Sequence, residues 1–340
     1  MLADHVHGWS VKIQLLHLDG KLPNVALMRV AAHHRDQGDD VELRHAPTVA
    51  SVEREAFDAH DRVYASAIFE RTRPVAERVL AAHPGALVGG TGVDMARSLE
   101  EFGITTLRQD YTIYPKFRAS IGFTQRGCRL RCSFCVVPKK EGAVRGEQTI
   151  ADLWRGGTHA RDLVLLDNDF FGQTAWRERV REMCDGGFRV CFSQGINARA
   201  IGEEEAAAIA SVDYRDDSFR ERRIYTAWDN LRDEDRLFRG LDLLVRAGVK
   251  PRQIMVYVLV GYWPGETAED RDHRRRRLRD FGAVPYPMPY ARTPELVAFQ
   301  RWVIGAYDKT IPWSDWLRAK GQPRNLHSSA QRHLPIVGDS

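Results

Sequence analysis

The residues with the most chemistry in this chain are its cysteines. Five occur in 340 residues, and three of them, Cys128, Cys132 and Cys135, fall within eight positions. Their spacing is C-x3-C-x2-C, with the aromatic Phe134 just before the last. Three thiolates on one short loop can take three irons of a [4Fe–4S] cluster and leave the fourth iron open to a small molecule. Gly127 lets the backbone turn tightly ahead of them, and Arg126, Arg129 and Arg131 offset the charge of thiolate ligands. A zinc site would need a fourth ligand, but no Cys or His lies at ligand spacing, the next being His159. Inert core cysteines would not crowd into a Gly/Arg-rich loop. The remaining two read as core residues. Cys184 shares a helical face with Trp176 and Val180, and Cys191 sits in a strand between Val190 and Phe192.

Charged residues make up 28% of the chain and hydrophobic ones 43%, an ordinary soluble composition that excludes disordered, collagen-like and disulfide-stapled classes. A chain of this length buries about 75% of its unfolded surface, so a large core is available. The net charge of +4 argues against a basic nucleic-acid coat over the whole surface. No stretch approaches the ~20 apolar residues that span a bilayer, so no membrane partner is expected. The N-terminus carries Asp4 and two histidines and lacks the layout of a secretory signal. The expected compartment is the cytoplasm, where thiols stay reduced and can bind metal.

The elements that must position the cysteines read as two successive α/β series. In residues 1–115, strands are expected at 11–17, 40–43, 62–69 and 86–88, with helices from Val25 to Gly38 and over 74–82. Asp19-Gly20, Pro23-Asn24 and Pro84-Gly85 are turn chemistry, and the fourth strand runs into Gly89-Gly90-Thr91-Gly92. Such alternation implies a parallel sheet covered by helices. Residues 111–118, around Pro115, read as a linker. The second series, residues 116–310, has strands at 120–124, 162–166, 189–193, 223–228, 253–260 and 283–288. Helices fall between them at 149–155, 174–185, 203–211, 230–247 and 266–280. The fourth of these has the clearest stripe, Leu237, Leu241, Leu244 and Val245, with Asn230 to cap it and Gly248 to end it. Six strand–helix units at a period of roughly 30 residues predict a partial (β/α)6 TIM-like barrel. Chemistry then belongs at the carboxyl ends of the strands, in the loops after Thr124, Leu166, Ser193, Trp228 and Val260. The prolines at 285, 287 and 289 are too many for a central strand throughout, so this segment should end the sixth strand at the barrel mouth. Met288 and Tyr290 would border substrate there. Residues 311–340 form a C-terminal extension with Trp313, Trp316 and a polar tail, 324–340, expected to fray.

With the cysteine motif on a loop after the first of six β/α units, residues 118–310 resemble the radical S-adenosylmethionine (SAM) enzymes. The resemblance implies that the amino and carboxylate groups of SAM chelate the open iron. It also implies reductive cleavage of SAM to a 5′-deoxyadenosyl radical, with electrons from a reductase such as flavodoxin or ferredoxin. Phe134 matches the aromatic near the adenine. Asp167-Asn168-Asp169 stands where the family has Gly-Gly-Glu, and keeps only polar acceptors for the methionine ammonium. Gln194 and Asn197, after the third strand, match groups that serve the ribose, and Arg199 one that pairs with the methionine carboxylate. A loop cap or a pairing with Glu203 is the other role open to Arg199. Gly261, in Leu259-Val260-Gly261-Tyr262-Trp263-Pro264-Gly265-Glu266, matches the adenine-binding stretch, and a bare turn into a helix explains the same residues. Asp229 is a candidate for a substrate contact or a helix cap.

The first 115 residues resemble the Rossmann-like cobalamin-binding domain that precedes some of these barrels, and Gly89-Gly90 resembles its glycine pair. The D-x-H-x-x-G motif of that domain is absent, so a histidine-ligated cobalamin is not expected. Two rivals to a hydrogen-abstracting enzyme remain open: a cobalamin-dependent methyltransferase, and a non-enzymatic iron–sulfur sensor or nucleic-acid-binding protein. Methylthiotransferases need three more cysteines upstream, and none precedes Cys128. The six arginines between Arg271 and Arg279 should be a solvated helix face beside Glu269, Asp270 and Asp272, with RNA binding as their alternative.

Overall fold

The protein is described from a computed structural model, over residues 10–54 and 59–320. The tail expected to fray, 324–340, lies outside the described residues. The chain divides into two compact units, the first ending at Arg118 and the second beginning at Ala119. Both are α/β with parallel sheets.

The first unit runs β1 (Lys12–His17), α1 (Val25–Asp36), β2 (Asp40–His45), α2 (Val49–Val52), β3 (Arg62–Ser66), α3 (Arg73–Ala82) and β4 (Leu87–Gly89). The strands form one parallel sheet in the order β2-β1-β3-β4. Alternation along β1 divides its side chains between two layers. Ile13 and Leu15 pack with Leu27, Val30 and Ala31 of α1, whereas Leu16 packs with Val75, Ala76 and Val79 of α3. Asn24 caps α1 by accepting from the Leu27 N–H at 3.1 Å. Residues 111–118 are not a free linker. Asp110 accepts from the Thr112 N–H at the head of a 3₁₀ turn, and Tyr114 is buried against His17.

The second unit opens with β5 (Ser120–Gly122), β6 (Gln125–Arg126), α4 (Val137–Lys140), β7 (Arg145–Gly146) and α5 (Ile150–Leu153). It continues through β8 (Asp162–Leu165), α6 (Trp176–Asp185), β9 (Arg189–Phe192), α7 (Glu203–Ser211), β10 (Asp213–Tyr214), β11 (Ile224–Trp228) and α8 (Glu234–Arg246). Then follow β12 (Ile254–Val260), α9 (Ala268–Phe281), β13 (Val284–Pro289), α10 (Pro294–Ile304) and α11 (Trp313–Lys320). One parallel sheet has the order β10-β9-β8-β5, a second β11-β12-β13, and β6 pairs antiparallel with β7. The sheets abut where the loop after β9 bonds to β11. The Ile196 N–H donates to the Tyr225 carbonyl at 2.8 Å and the Ala198 N–H to Thr226 Oγ1 at 3.2 Å. One face of the strands packs on the helices through Leu163, Val190, Ile224, Val256 and Val258. On the other, Tyr225 stacks on Tyr257, and Tyr257 meets Tyr286 edge-on.

β13 lies one residue on from its expected place, 283–288, and ends at the third proline. It is an edge strand, and prolines two apart turn their nitrogens to the same outer edge, where no ladder hydrogen bond is lost. Cys184 is exposed, because α6 turns Trp176, Val180 and Met183 inward instead. The arginines of α9 are a solvated face only in part, at Arg276 and Arg277. Arg274 is 1% exposed and lies against Glu266, and Arg275 and Arg279 both reach the buried Asp308.

Candidate functional site

The cysteines sit where the chain leaves β5, the first strand of the second unit. The β6–β7 ribbon, pairing Gln125 with Gly146 and Arg126 with Arg145, closes the base of a loop that carries all three. Gly127 makes that closure possible. Its φ is +79°, and a Cβ there would strike the Ala143 carbonyl. Inside the loop, the Cys135 N–H donates to the Cys132 carbonyl at 3.0 Å. The Leu130 N–H points at Cys128 Sγ at 3.4 Å, and the Val137 N–H supports Cys135. Burial pushes the Cys128 thiol up to about 11 and also raises Cys135, with the neighbouring cysteines adding to both. Thiols in such a setting become thiolates only when a cation arrives to hold them, as a metal does.

Carboxylates fix the loop from behind. Asp169, after β8, is 2% exposed at its side chain and grips Arg129 through both guanidinium edges, at 2.8 and 3.0 Å, and through its N–H at 3.0 Å. Glu141 accepts from Arg126, the Gly127 N–H and Asn168 Nδ2, at 3.0, 2.9 and 3.0 Å. Gln125 Nε2 donates to the Gly127 carbonyl at 2.5 Å while its oxygen accepts from the Asp169 N–H at 3.2 Å. Asp167 is fully enclosed and accepts from the Thr124 hydroxyl, the Thr124 N–H at 2.7 Å and the Gln125 N–H at 3.3 Å. Burial lifts its carboxyl to about 7. Of the three residues at this strand end, Asp167 and Asn168 thus hold the loop, and Asp169 holds its arginine.

The loops after β9, β11 and β12 supply the other groups. Arg199 donates to Asp233 at 2.7 Å and Asn197 Oδ1 at 3.2 Å, and reaches Asp229 at 3.8 Å. Its ion pairs are therefore with Asp229 and Asp233 rather than Glu203. The charge of Cys132 is felt at Arg199 and that of Asp229 at Cys135, so this group shares the surroundings of the cysteines. Burial raises the Asp229 carboxyl to about 6 against the pull of Arg199. Gln194 is exposed. Gly261, at φ +78°, donates its N–H to Glu266 at 2.5 Å, and Glu266 in turn faces the buried Arg274. Arg274 also donates to the Leu259 carbonyl at 2.8 Å and the Trp228 carbonyl at 3.3 Å, tying the ends of β11 and β12 together. Phe134 meets Tyr262 edge-on at 5.5 Å, Tyr262 meets Tyr290 at 4.7 Å, and the Tyr262 hydroxyl donates to Ser133 at 3.0 Å. Met288 lies in β13 opposite Leu259.

In donor type the three thiols fit an iron–sulfur cluster, and peptide N–H groups already address two of the sulfurs. Among the described residues no group of three or more His, Cys, Asp or Glu is gathered around a single ion. A cubane asks something different, since each thiolate takes a separate iron. For SAM the nearby polar groups are Arg199, Asn197 and Asp229, with Phe134 and Tyr262 as apolar walls.

The carboxyl end of the first unit's sheet does not fit a corrinoid. Asp19 accepts from the Ile68 and Phe69 N–H groups at 2.8 and 2.9 Å, stapling the loop after β1 to the loop after β3. Asn24 bonds Ser66 at 2.8 Å across the same crevice. Gly90 is consumed in packing, because a Cβ there would meet the Ala67 carbonyl. Among the described residues no helix is long and apolar enough to cross a membrane. Comparison with known protein families, with curated proteins and with solved structures finds no match for this chain.

Proposed function

We propose that this protein is a cytoplasmic radical SAM enzyme that holds one [4Fe–4S] cluster on Cys128, Cys132 and Cys135. The observation that carries the proposal is the position of the three thiols. They share one closed loop at the carboxyl end of the first parallel strand of the second unit, in the surroundings of Arg199 and Asp229. In this reading β5, β8, β9, β11, β12 and β13 make a partial (β/α)6 barrel, and the first unit is a Rossmann-like companion without cobalamin.

When bound, the cluster supplies the electron that cleaves SAM to methionine and a 5′-deoxyadenosyl radical, which takes a hydrogen atom from the substrate. The chain does the positioning. Asp169 and Glu141 hold Arg129, Arg126 and Gly127 so that the thiols keep one geometry. Arg199, held by Asp233 and Asn197, offers its Nη2 to the methionine carboxylate, and Asn197 its Nδ2 to the ribose. Phe134 and Tyr262 exclude water beside the adenine. Electrons come from a flavodoxin- or ferredoxin-type reductase. Anaerobic incubation of iron-loaded protein with SAM and dithionite should yield 5′-deoxyadenosine, and Cys132→Ala should yield none. Equal product from both, or none from either, would overturn the proposal.

A further inference from the structure

The cysteine-bearing segment is also strongly basic. Residues 126–145 contain Arg126, Arg129, Arg131, Lys139, Lys140, Arg145 and one acid, Glu141, a net +5 where the whole chain carries +4. A [4Fe–4S] cluster on three thiolates has a net charge of only about −1 in its oxidised state, so ligand charge alone does not call for so many cations. Two of them are already committed, Arg126 to Glu141 and Glu147 and Arg129 to Asp169. Arg131 and Lys139 are exposed, one directly before Cys132 in the chain and the other four residues after Cys135. Beside them, three loops bring aromatic rings together at the same mouth. Phe134 comes from the cysteine loop, Tyr262 from the end of β12 and Tyr290, 43% exposed, from the end of β13. Trp263 extends the set, with the Arg232 guanidinium 5.7 Å above its ring.

Cations that track a phosphate backbone, interleaved with rings on which bases stack, are the chemistry of single-strand recognition. The other cationic–aromatic groove of the molecule, where Arg271 and Arg275 face Phe299, Trp302 and Trp313, lacks this character. Its arginines are neutralised by Glu295, Asp272 and Asp308.

We propose that the mouth of the cysteine site is a docking surface for single-stranded nucleic acid, whose phosphates meet Arg131 and Lys139 and whose bases stack on Tyr290, the exposed ring of the set. This deepens the proposed function by naming the substrate class of that site. A base seated on that ring would lie beside the position at which the radical forms.

The test is fluorescence anisotropy with labelled single-stranded RNA and DNA twelve-mers and the matching duplex. The full chain is used without SAM, at 50 and 200 mM salt. Binding to a single strand should weaken with salt by a log–log slope of about −0.7 per phosphate contact, and so by at least about −1.4 for two. Arg131→Glu with Lys139→Glu should weaken it at least tenfold, and Tyr290→Ala at least about fivefold. All these positions are exposed, and an unchanged melting midpoint would show that each variant is folded. Absence of binding at 50 mM salt, preference for the duplex, or wild-type affinity in the charge-reversed variant would each overturn the proposal. The RNA and DNA arms tell which polymer it is. A chain that binds the oligomer and makes no 5′-deoxyadenosine keeps this surface and loses the enzyme assignment. A chain that makes 5′-deoxyadenosine without binding does the reverse.

Discussion

Asp167 shows how a polar residue behind the site is held by burial as much as by partners. Its carboxyl titrates near 7 because it is fully enclosed, although three donors from Thr124 and Gln125 favour the charged form. The folded protein then keeps a proton that the unfolded chain releases near pH 4, so stability falls as pH rises from about 4 to about 7. Asp167→Asn retains an acceptor for Thr124 and Gln125 and cannot ionise. Urea midpoints at pH 4.5 and 7.5 should therefore fall less in this variant than in the parent, and an identical fall would remove Asp167 as the cause. Gly127 is a second test at this scale. Gly127→Ala forces a side chain into positive φ and against the Ala143 carbonyl, a strain of order 1–3 kcal/mol, confined to the cysteine loop. Iron bound per chain should drop several-fold while far-ultraviolet circular dichroism stays unchanged. The crowding of the cysteines and the tight turn at Gly127 were legible in the sequence because both are local. The partners of Asp169, Glu141 and Asp233 were not, since each lies 14 to 40 positions away.

Among the elements, α9 ties strand ends to the site. Arg274 is buried with Glu266 and bonds the carbonyls of Trp228 and Leu259, while Glu266 receives the Gly261 N–H. Arg274→Met leaves the buried Glu266 with only the more distant Arg271, at 3.9 Å, and should cost about 3 kcal/mol of stability in urea denaturation. Adding Glu266→Gln removes the stranded charge and should restore a large part of that loss. If the double variant is as unstable as the single one, the ion pair is not what holds these strand ends. The six long strands and the helices between them were readable from periodicity. The sense of α9 was not, because an arginine run looks solvated until the acids that bury it, Glu266 and Asp308, are placed in space. The α6 face was misread by one position, since Met183 and Cys184 are adjacent and both fit an apolar stripe.

At the scale of the molecule, the α/β class with parallel sheets was legible from the alternation of strands and helices. The antiparallel β6–β7 ribbon and β10 were not, each being two residues long. All the residues proposed to hold the cluster and SAM belong to the second unit, which has its own apolar core. Residues 119–340 produced alone should therefore still take up iron and sulfide in the ratio found for the full chain, and an iron-free product would assign the first unit a part in cluster assembly. The central claim is a four-iron cluster with one iron left for SAM. Its most direct test is the electron paramagnetic resonance spectrum of the anaerobically reconstituted, dithionite-reduced protein, recorded before and after SAM is added. The expected result is a reduced [4Fe–4S] signal whose g-values shift on addition of SAM and which is missing from Cys132→Ala. A spectrum indifferent to SAM, or a signal that survives in Cys132→Ala, would contradict it.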